Sequence, residues 1–294
     1  MGYRSVFTAG LFADKVVLVT GGGSGIGRCT AHELAALGAR VALVGRKVEK
    51  LEAVAAEIAE DGGAAPSIHA CDIRHEDAVR AMVAAVLARH GRIDGLVNNA
   101  GGQYMTPLEA TSAKGWEAVV ATNLTGGFLV ARECFVQSMD QRGGSIVNIV
   151  ADMWGSMPGM AHSGAARAGM VSFTETAAIE WAGRGVRVNA VAPGYIASSG
   201  MDRYPPEMGP MLREMGKTVP LGRFGTEAEA AAAIVFLLSP AASFISGSTL
   251  RVDGARPQVR MGWPMRIADA KTRQREAIRP FEGFHRAQAP KVFS

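Results

Sequence analysis

The chain has 294 residues, 48% of them hydrophobic and 20% charged, which suits one large α/β domain with a substantial core. Its formal net charge of +4 is modest and no continuous basic stripe runs through it, so a nucleic-acid partner is not expected and an anionic small ligand stays open. Cys29, Cys71 and Cys134 have neither metal nor disulfide spacing; no metal site is expected, and all three read as small buried residues in a reducing compartment.

In chain order, the apolar run Lys15 to Val19 reads as a first strand. Thr20-Gly21-Gly22-Gly23-Ser24-Gly25-Ile26-Gly27 follows as a tight turn, and Arg28 to Leu37 has a helical pattern. Arg40 to Val44 makes a second strand. Val48, Leu51, Val54, Ala55 and Ile58 recur at helical spacing between Lys47 and Asp61, where Gly62-Gly63 ends the helix. Ser67 to Cys71 is a third strand, and His75 to His90 a helix with Val79, Met82, Val83, Val86 and Leu87 on one face, closed by Gly91. Gly95 to Asn98 is a fourth strand. Ser112 caps a helix start, with a long helical region from about Trp116 to Met139. Gly144 to Val150 is the fifth strand, Ser163 to Trp181 is helical and Val186 to Val191 is the sixth strand. Glu227 to Leu238 is the last strong helix, before a seventh strand at Thr249 to Val252. Strands alternating with helices in this way predict a single Rossmann-type, doubly wound α/β domain: a seven-stranded parallel sheet flanked by helices.

Two segments fall outside the alternation. Residues 198–219, rich in Met, Pro and Gly after the sixth strand, read as a substrate lid, because open parallel sheets bind ligands beyond the carboxyl ends of their strands. Residues 255–294 form a basic, proline-punctuated extension beyond the domain of residues 1–254. Its rings Trp263, Phe281, Phe284 and Phe293 predict a docked segment that packs on the lid. The longest apolar run, near Ala230 to Leu238, is far short of the roughly 20 residues a membrane span needs. Met1 to Gly10 lacks the layout of a secretory signal and the final Lys291-Val292-Phe293-Ser294 is no peroxisomal address, so a soluble cytoplasmic protein without a membrane partner is expected.

The glycine turn carries the strongest chemical signal. A phosphate at the start of the following helix meets free N–H groups and the positive end of the helix dipole. Glycines at Gly21, Gly23, Gly25 and Gly27, with Ser24 and Ile26, keep Cβ atoms away from a pyrophosphate, so dinucleotide binding is expected. At the end of the second strand an NAD site usually carries an acid for the ribose hydroxyls. Here Val44-Gly45-Arg46-Lys47 has no acid and two cations able to pair with a 2′-phosphate, which predicts NADP(H) in preference to NAD(H).

The TGxxxGIG spacing resembles the short-chain dehydrogenase/reductase family. So do Cys71-Asp72-Ile73, Asn98-Asn99-Ala100-Gly101, Asn123-Leu124-Thr125-Gly126, Gly144 to Ile149, Asn189 to Gly194 and Val252-Asp253-Gly254, in that order. The resemblance implies that Asp72 and Ile73 lie at the adenine and that Asn99, Ala100 and Gly101 flank the cofactor. It implies too that Pro193, Gly194 and Ile196 hold the nicotinamide carboxamide, and that Asn123 anchors a water or the active-site helix. Family members are commonly dimers or tetramers, which makes a homo-oligomer the expectation.

The family's catalytic pattern is a Ser followed by Tyr-x-x-x-Lys, and this chain departs from it. Ser163 stands at the tyrosine position, Arg167 at the lysine position, and Val150-Ala151 where the catalytic serine belongs. A serine hydroxyl is too weak an acid to inherit the tyrosine's role. One helical turn separates Ser163 from Arg167, so both can face a nicotinamide ribose, with Arg167 offering fixed donors and a permanent charge near a developing oxyanion. Tyr104 and Tyr195 are the phenols expected within reach of a substrate, while His162 is assigned to packing and Asp152 either to a loop surface or to a substrate contact. The Ser-x-x-x-Lys/Arg variant resembles the 2,4-dienoyl-CoA reductases and the peroxisomal trans-2-enoyl-CoA reductases of fatty acid metabolism. That resemblance implies reduction of the conjugated double bond of an acyl-thioester substrate. Two alternatives stay open: a dehydrogenase of acyclic terpenoids of the citronellol/citronellal type, similar in the tail stretch Pro280 to His285, and a nucleotide-binding protein without catalysis.

Overall fold

Every residue of the first strand, β1 (Val16–Thr20), is buried, as a central parallel strand between two helical layers must be. The computed structural model describes residues 2–204, 206–256 and 267–291. Beside β1 lie β2 (Arg40–Gly45) and β3 (Ser67–Ala70) on one side. On the other lie β4 (Gly95–Asn98), β5 (Gly144–Ile149), β6 (Val186–Pro193) and, at the far edge, Thr249–Val252. All neighbours are parallel, with Leu18 paired to Ala42 in β2 and to Leu96 in β4. The doubly wound, seven-stranded sheet is thus as expected.

Helices α1 (Gly25–Ala36) and α2 (Val48–Glu60) cover one face, where Leu34, Leu51, Ile58 and Val19 share a core with Ile234 and Leu237 of the last long helix. On the opposite face α3 (Glu76–His90) and α4 (Ala113–Arg142) bring Val79, Val83, Val130 and Cys134 onto Leu96 and Ile146. Helix α5 (Ala161–Glu180) joins that layer through Ala177 and Ala178. Gly91 ends α3 at φ 74°, a left-handed conformation that glycine adopts without strain. Helix α4 begins three residues earlier than the expected Trp116, with the Gly115 amide donating to the Ser112 hydroxyl at 3.1 Å. It is long and apolar enough for a membrane span by length and composition, yet Val130, Ala131, Cys134 and Met139 are wholly buried in the core layer, so it is a core helix.

After β6 the chain makes a feature the sequence pattern did not announce, a two-stranded sheet of β7 (Ile196–Ala197) and β8 (Gly225–Thr226). The expected lid lies between these strands as a 3₁₀ turn at Ser199–Arg203 and α6 (Gly209–Met215), held down by buried Met201, Leu212 and Val219. Helix α7 (Glu227–Leu238) starts with a capping box between Thr226 and Glu229 and leads to the edge strand β9 (Thr249–Val252).

The extension departs from its expected course. Trp263 and Phe293 lie outside the described residues. Phe281 and Phe284 pack not on the lid but on Cys29 of α1 and on Ala228 and Ala231 of α7, with Tyr3 beside them. Helices α1 and α7 leave an apolar groove between them there, and the rings fill it. The extension meets the lid through polar contacts instead, the Lys291 amide donating to Asp202 Oδ1 at 2.6 Å and Arg256 Nε to the Thr218 hydroxyl at 3.2 Å.

Candidate active site

The sheet order reverses between β1 and β4, since β1 pairs with β2 on one side and β4 on the other while the helices that follow go to opposite faces. The turns after these two strands therefore border one crevice. Gly21 has φ 65°, and a Cβ on it would lie 2.9 Å from Asn99 Nδ2 and 3.0 Å from Ala100 Cα. A Cβ on Gly27 would collide with the Gly21 carbonyl oxygen. The Thr20 hydroxyl accepts the amides of Asn99 and Ala100, each at 2.9 Å, and Asn99 Nδ2 donates to the Thr20 carbonyl at 3.0 Å. Thr20 is thus the stitch between the two turns; its place at the head of the glycine run was its only signal in the sequence. Gly23 packs on Lys50, and Ile26 on the core beneath. Ser24 precedes α1 without capping it through its side chain, and no acidic residue stands in the first turn. The opening amides of α1 therefore suit an anion.

At one end of the crevice β2 stops at Gly45, with Arg46 and Lys47 exposed. Asp72 is gripped by Arg74, whose Nε lies 2.9 and 3.1 Å from its two oxygens. That pairing, with Arg46 adding to it, holds the Asp72 carboxyl down at about 2. Arg74 was not singled out in the sequence, because nothing in the spacing Asp-x-Arg reveals which way the arginine turns. Ile73 is buried and wedged on the long helix at Gly126.

At the other end α4 contains a π turn, Ala121–Thr125, a device that re-aims side chains at functional sites. It turns Asn123 onto the Gly102 backbone: Nδ2 donates to the carbonyl at 2.9 Å and Oδ1 accepts the amide at 2.8 Å. A Cβ on Gly101 would lie 2.5 Å from Arg167 Nη2 and 3.0 Å from Asn123 Oδ1, so Gly101, Asn123 and Arg167 converge. Arg167 Nη1 donates to the carbonyl of Ile149 at the end of β5, and its buried Nε has no acceptor among the described residues. Burial pushes the guanidinium pKa down to about 10, still cationic at neutral pH.

Ser163 is wholly buried one turn before Arg167, its hydroxyl donating to Gln103 Oε1 at 2.9 Å. Gln103 Nε2 in turn donates to the Tyr204 hydroxyl at 3.2 Å. Gln103 and Tyr204 escaped the sequence reading, since 101 residues separate them and only the fold brings them together. Tyr104 does not join this group: its hydroxyl lies over Gly115, and its ring packs tilted against His162, centre to centre 4.5 Å. His162 is buried, which lowers its pKa, and its Nδ1 accepts the Ser163 amide at 2.7 Å.

Pro193 and Gly194 end β6 beside β9. The Gly194 amide donates to the Val252 carbonyl at 2.9 Å, and a Cβ on Gly194 would strike Asp253 Cα at 2.7 Å. Ile196 is buried under Gly225. Asp152 donates its amide to the Pro193 carbonyl at 3.2 Å, and burial together with nearby Asp253 raises its carboxyl pKa. A cavity of about 310 Å³ adjoins these strand ends, bordered by Tyr195, Leu221, Arg223, Arg251 and Asp253.

Residues 21–255 match the family model described as Enoyl-(Acyl carrier protein) reductase. A probable 2,4-dienoyl-CoA reductase of Bacillus subtilis (strain 168) is 38% identical over 245 residues, covering 82% of this chain and 96% of that protein. A 3-oxoacyl-[acyl-carrier-protein] reductase of Synechocystis sp. is 42% identical over 244 residues, with 82% of this chain and 96% of that protein covered. Among solved structures, a citronellol catabolism dehydrogenase (AtuB) of Pseudomonas aeruginosa PAO1 is 62% identical with a TM-score of 0.79, covering 87% of this chain and 100% of that one.

Proposed function

The chain belongs to the short-chain dehydrogenase/reductase family and is an oxidoreductase, and from that premise we propose that it reduces the conjugated double bond of an enoyl thioester with NADPH. The observation that carries this reading is Ser163 in the family's tyrosine position, its hydroxyl spent on Gln103, beside the buried cation Arg167. Such a site is poorly equipped to protonate an alkoxide at residue 163. It suits a reaction whose first product is an enolate, which needs positive charge and donors at its oxygen. A bound nicotinamide supplies the hydride. In this reading Gly21, Gly23, Ser24, Gly25, Ile26 and Gly27 take the pyrophosphate on the open amides of α1. Arg46 and Lys47 take the 2′-phosphate, and Asp72 and Ile73 border the adenine. Asn99, Ala100 and Gly101 flank the ribose, whose hydroxyls offer the acceptor that Arg167 Nε lacks. Pro193, Gly194 and Ile196 hold the carboxamide, and Asn123 fixes the loop at Gly102.

The 62% identical solved structure favours a second reading, oxidation or reduction of an acyclic terpenoid alcohol or aldehyde. NADPH oxidation followed with crotonyl-CoA, with citronellal and without substrate separates the two. Turnover on citronellal alone replaces the thioester reading, and no turnover on either leaves a nucleotide-binding protein. A homo-oligomer belongs to the same proposal. The outer faces of α4 and α5 leave Phe128, Val136 and Ile179 at 37%, 62% and 79% exposure, apolar surface that a second copy would cover. Light scattering on the purified chain measures this directly.

A further inference from the structure

Hydride addition to the β-carbon of an enoyl thioester leaves an enolate that must take a proton at its α-carbon, and Ser163 is a poor source. Its hydroxyl is weakly acidic and already donates to Gln103 Oε1. The chain has four tyrosines. Tyr3 lies against Cys29 at the groove between α1 and α7, and Tyr104 has its hydroxyl over Gly115. Tyr195 borders the cavity at the ends of β6 and β9, its ring centre 6.1 Å from that of Phe224, with no hydrogen bond to the Ser163 group among the described residues. The fourth phenol, Tyr204, sits on the lid and is joined to Ser163 through a single amide. Resting on the thioester reading above, we propose that Tyr204 is the catalytic proton donor and that Gln103 positions it.

The direction of the hydrogen bonds supports the assignment. Because Gln103 Oε1 accepts from Ser163, Nε2 donates to the phenol oxygen. The phenol hydrogen is then free to point at a substrate, and the same amide N–H stabilises the phenolate left behind. In the balanced step the hydride and its electron pair form the new bond at the β-carbon while the π pair of the double bond moves to make the enolate. The enolate then re-forms its carbonyl as the α-carbon takes the Tyr204 proton. The phenolate regains its proton from water, which the half-buried position of Tyr204 allows. A tyrosine at residue 163 would occupy the space that Gln103 now bridges; the phenol has moved from the helix to the lid.

The test uses the full chain with NADPH and crotonyl-CoA. Tyr204→Phe should lower kcat by about 10²–10⁴-fold, the usual contribution of a positioned acid, with KM and NADPH affinity unchanged. The solvent deuterium isotope effect on kcat should also rise, since water then delivers the proton. Gln103→Glu offers only acceptors and must draw the phenol hydrogen inward, so it should lower kcat as well. Parental kcat in Tyr204→Phe, or equal loss of NADPH binding and melting temperature with kcat, overturns the assignment, as does parental kcat in Gln103→Glu. If the parent turns over citronellal but not crotonyl-CoA, the thioester reading fails alone. The same variants are then measured on citronellal, where loss of kcat supports the donor and retention overturns it. A parent inactive on both substrates overturns both.

Discussion

At Arg167 a single guanidinium binds the end of β5, borders Gly101 and Asn123, and keeps one buried N–H without an acceptor. Its removal should cost turnover as removal of an oxyanion donor does, about 2.7–4 kcal/mol or two to three orders of magnitude in kcat. Ser163→Ala should cost less, because its hydroxyl faces Gln103 and water can replace it. Parental turnover in Arg167→Ala would move the chemistry elsewhere. A second residue sets a pH dependence. Glu227, at the first turn of α7, is buried 3.8 Å from where a Gly25 Cβ would stand, and burial pushes its carboxyl up to about 7 from the ordinary 4.5. The folded chain thus holds a proton that the unfolded chain releases. The stability from this group is fully present below about pH 4.5 and lost as pH rises through about 7. A pyrophosphate on the same turn would favour the neutral acid still more, so NADPH affinity should be level below about pH 7, where the folded chain already holds this proton, and fall as pH rises above it. Glu227→Gln should flatten the trend in a fluorescence titration; a slope equal to the parent's would clear Glu227 of the effect.

At the scale of elements, the loop between β2 and α2 is predicted to select the cofactor. Arg74 is already held by Asp72, which leaves Arg46, whose charge only adds to that pair, and Lys47 as the exposed cations at that strand end. Losing the charge-assisted bond of Arg46 to a 2′-phosphate is worth about 1.5–3 kcal/mol, so Arg46→Ala should weaken NADPH by roughly 10–100-fold and barely alter NADH. Equal losses for both cofactors would end the assignment. The elements themselves were legible for a physical reason. Strands buried on both faces must be largely apolar runs, as β1 and β4 are, and the half-exposed edge strand β9 and the helix α7 also fall where the pattern put them. Features set by tertiary contact were not legible. The π turn that aims Asn123 has ordinary helical composition, and β7 and β8 are two residues each, too short for any period to register. The glycine turn and the exchange of Tyr for Ser163 were plain in the residues, whereas the Ser163–Gln103–Tyr204 chain needed the lid to fold back over the β4 loop.

Taken whole, the molecule is clasped by its own extension, and the sequence of contacts says what the clasp holds. Arg273 donates to the Gly222 carbonyl at 2.8 Å and Arg223 to the Ile278 carbonyl at 3.1 Å, tying the strap to the chain before β8. The Thr226 hydroxyl then donates to the Phe281 carbonyl at 2.7 Å, beside the capping box of α7. Phe284, 3% exposed, fills the groove between α1 and α7 under Arg28, whose guanidinium carbon lies 5.1 Å from the ring centre. Arg286 pairs with Asp61 at 2.9 Å beyond the end of α2, and Lys291 returns to Asp202 in the lid. The strap therefore grips the two helices whose first turns border the glycine turn, and through Lys291 it holds Asp202, two positions before Tyr204. Truncating a buried Phe costs about 3–5 kcal/mol, so Phe284→Ala should lower the unfolding midpoint in urea sharply. Asp202→Ala removes a single acceptor at an exposed site and should leave that midpoint nearly unchanged. It should instead speed proteolysis within residues 197–219 and raise KM for the substrate, because only the lid is released. A chain ended after Gly254 should show both effects together. If it keeps the parent's midpoint, protease resistance and activity, the extension has no part in closing the site.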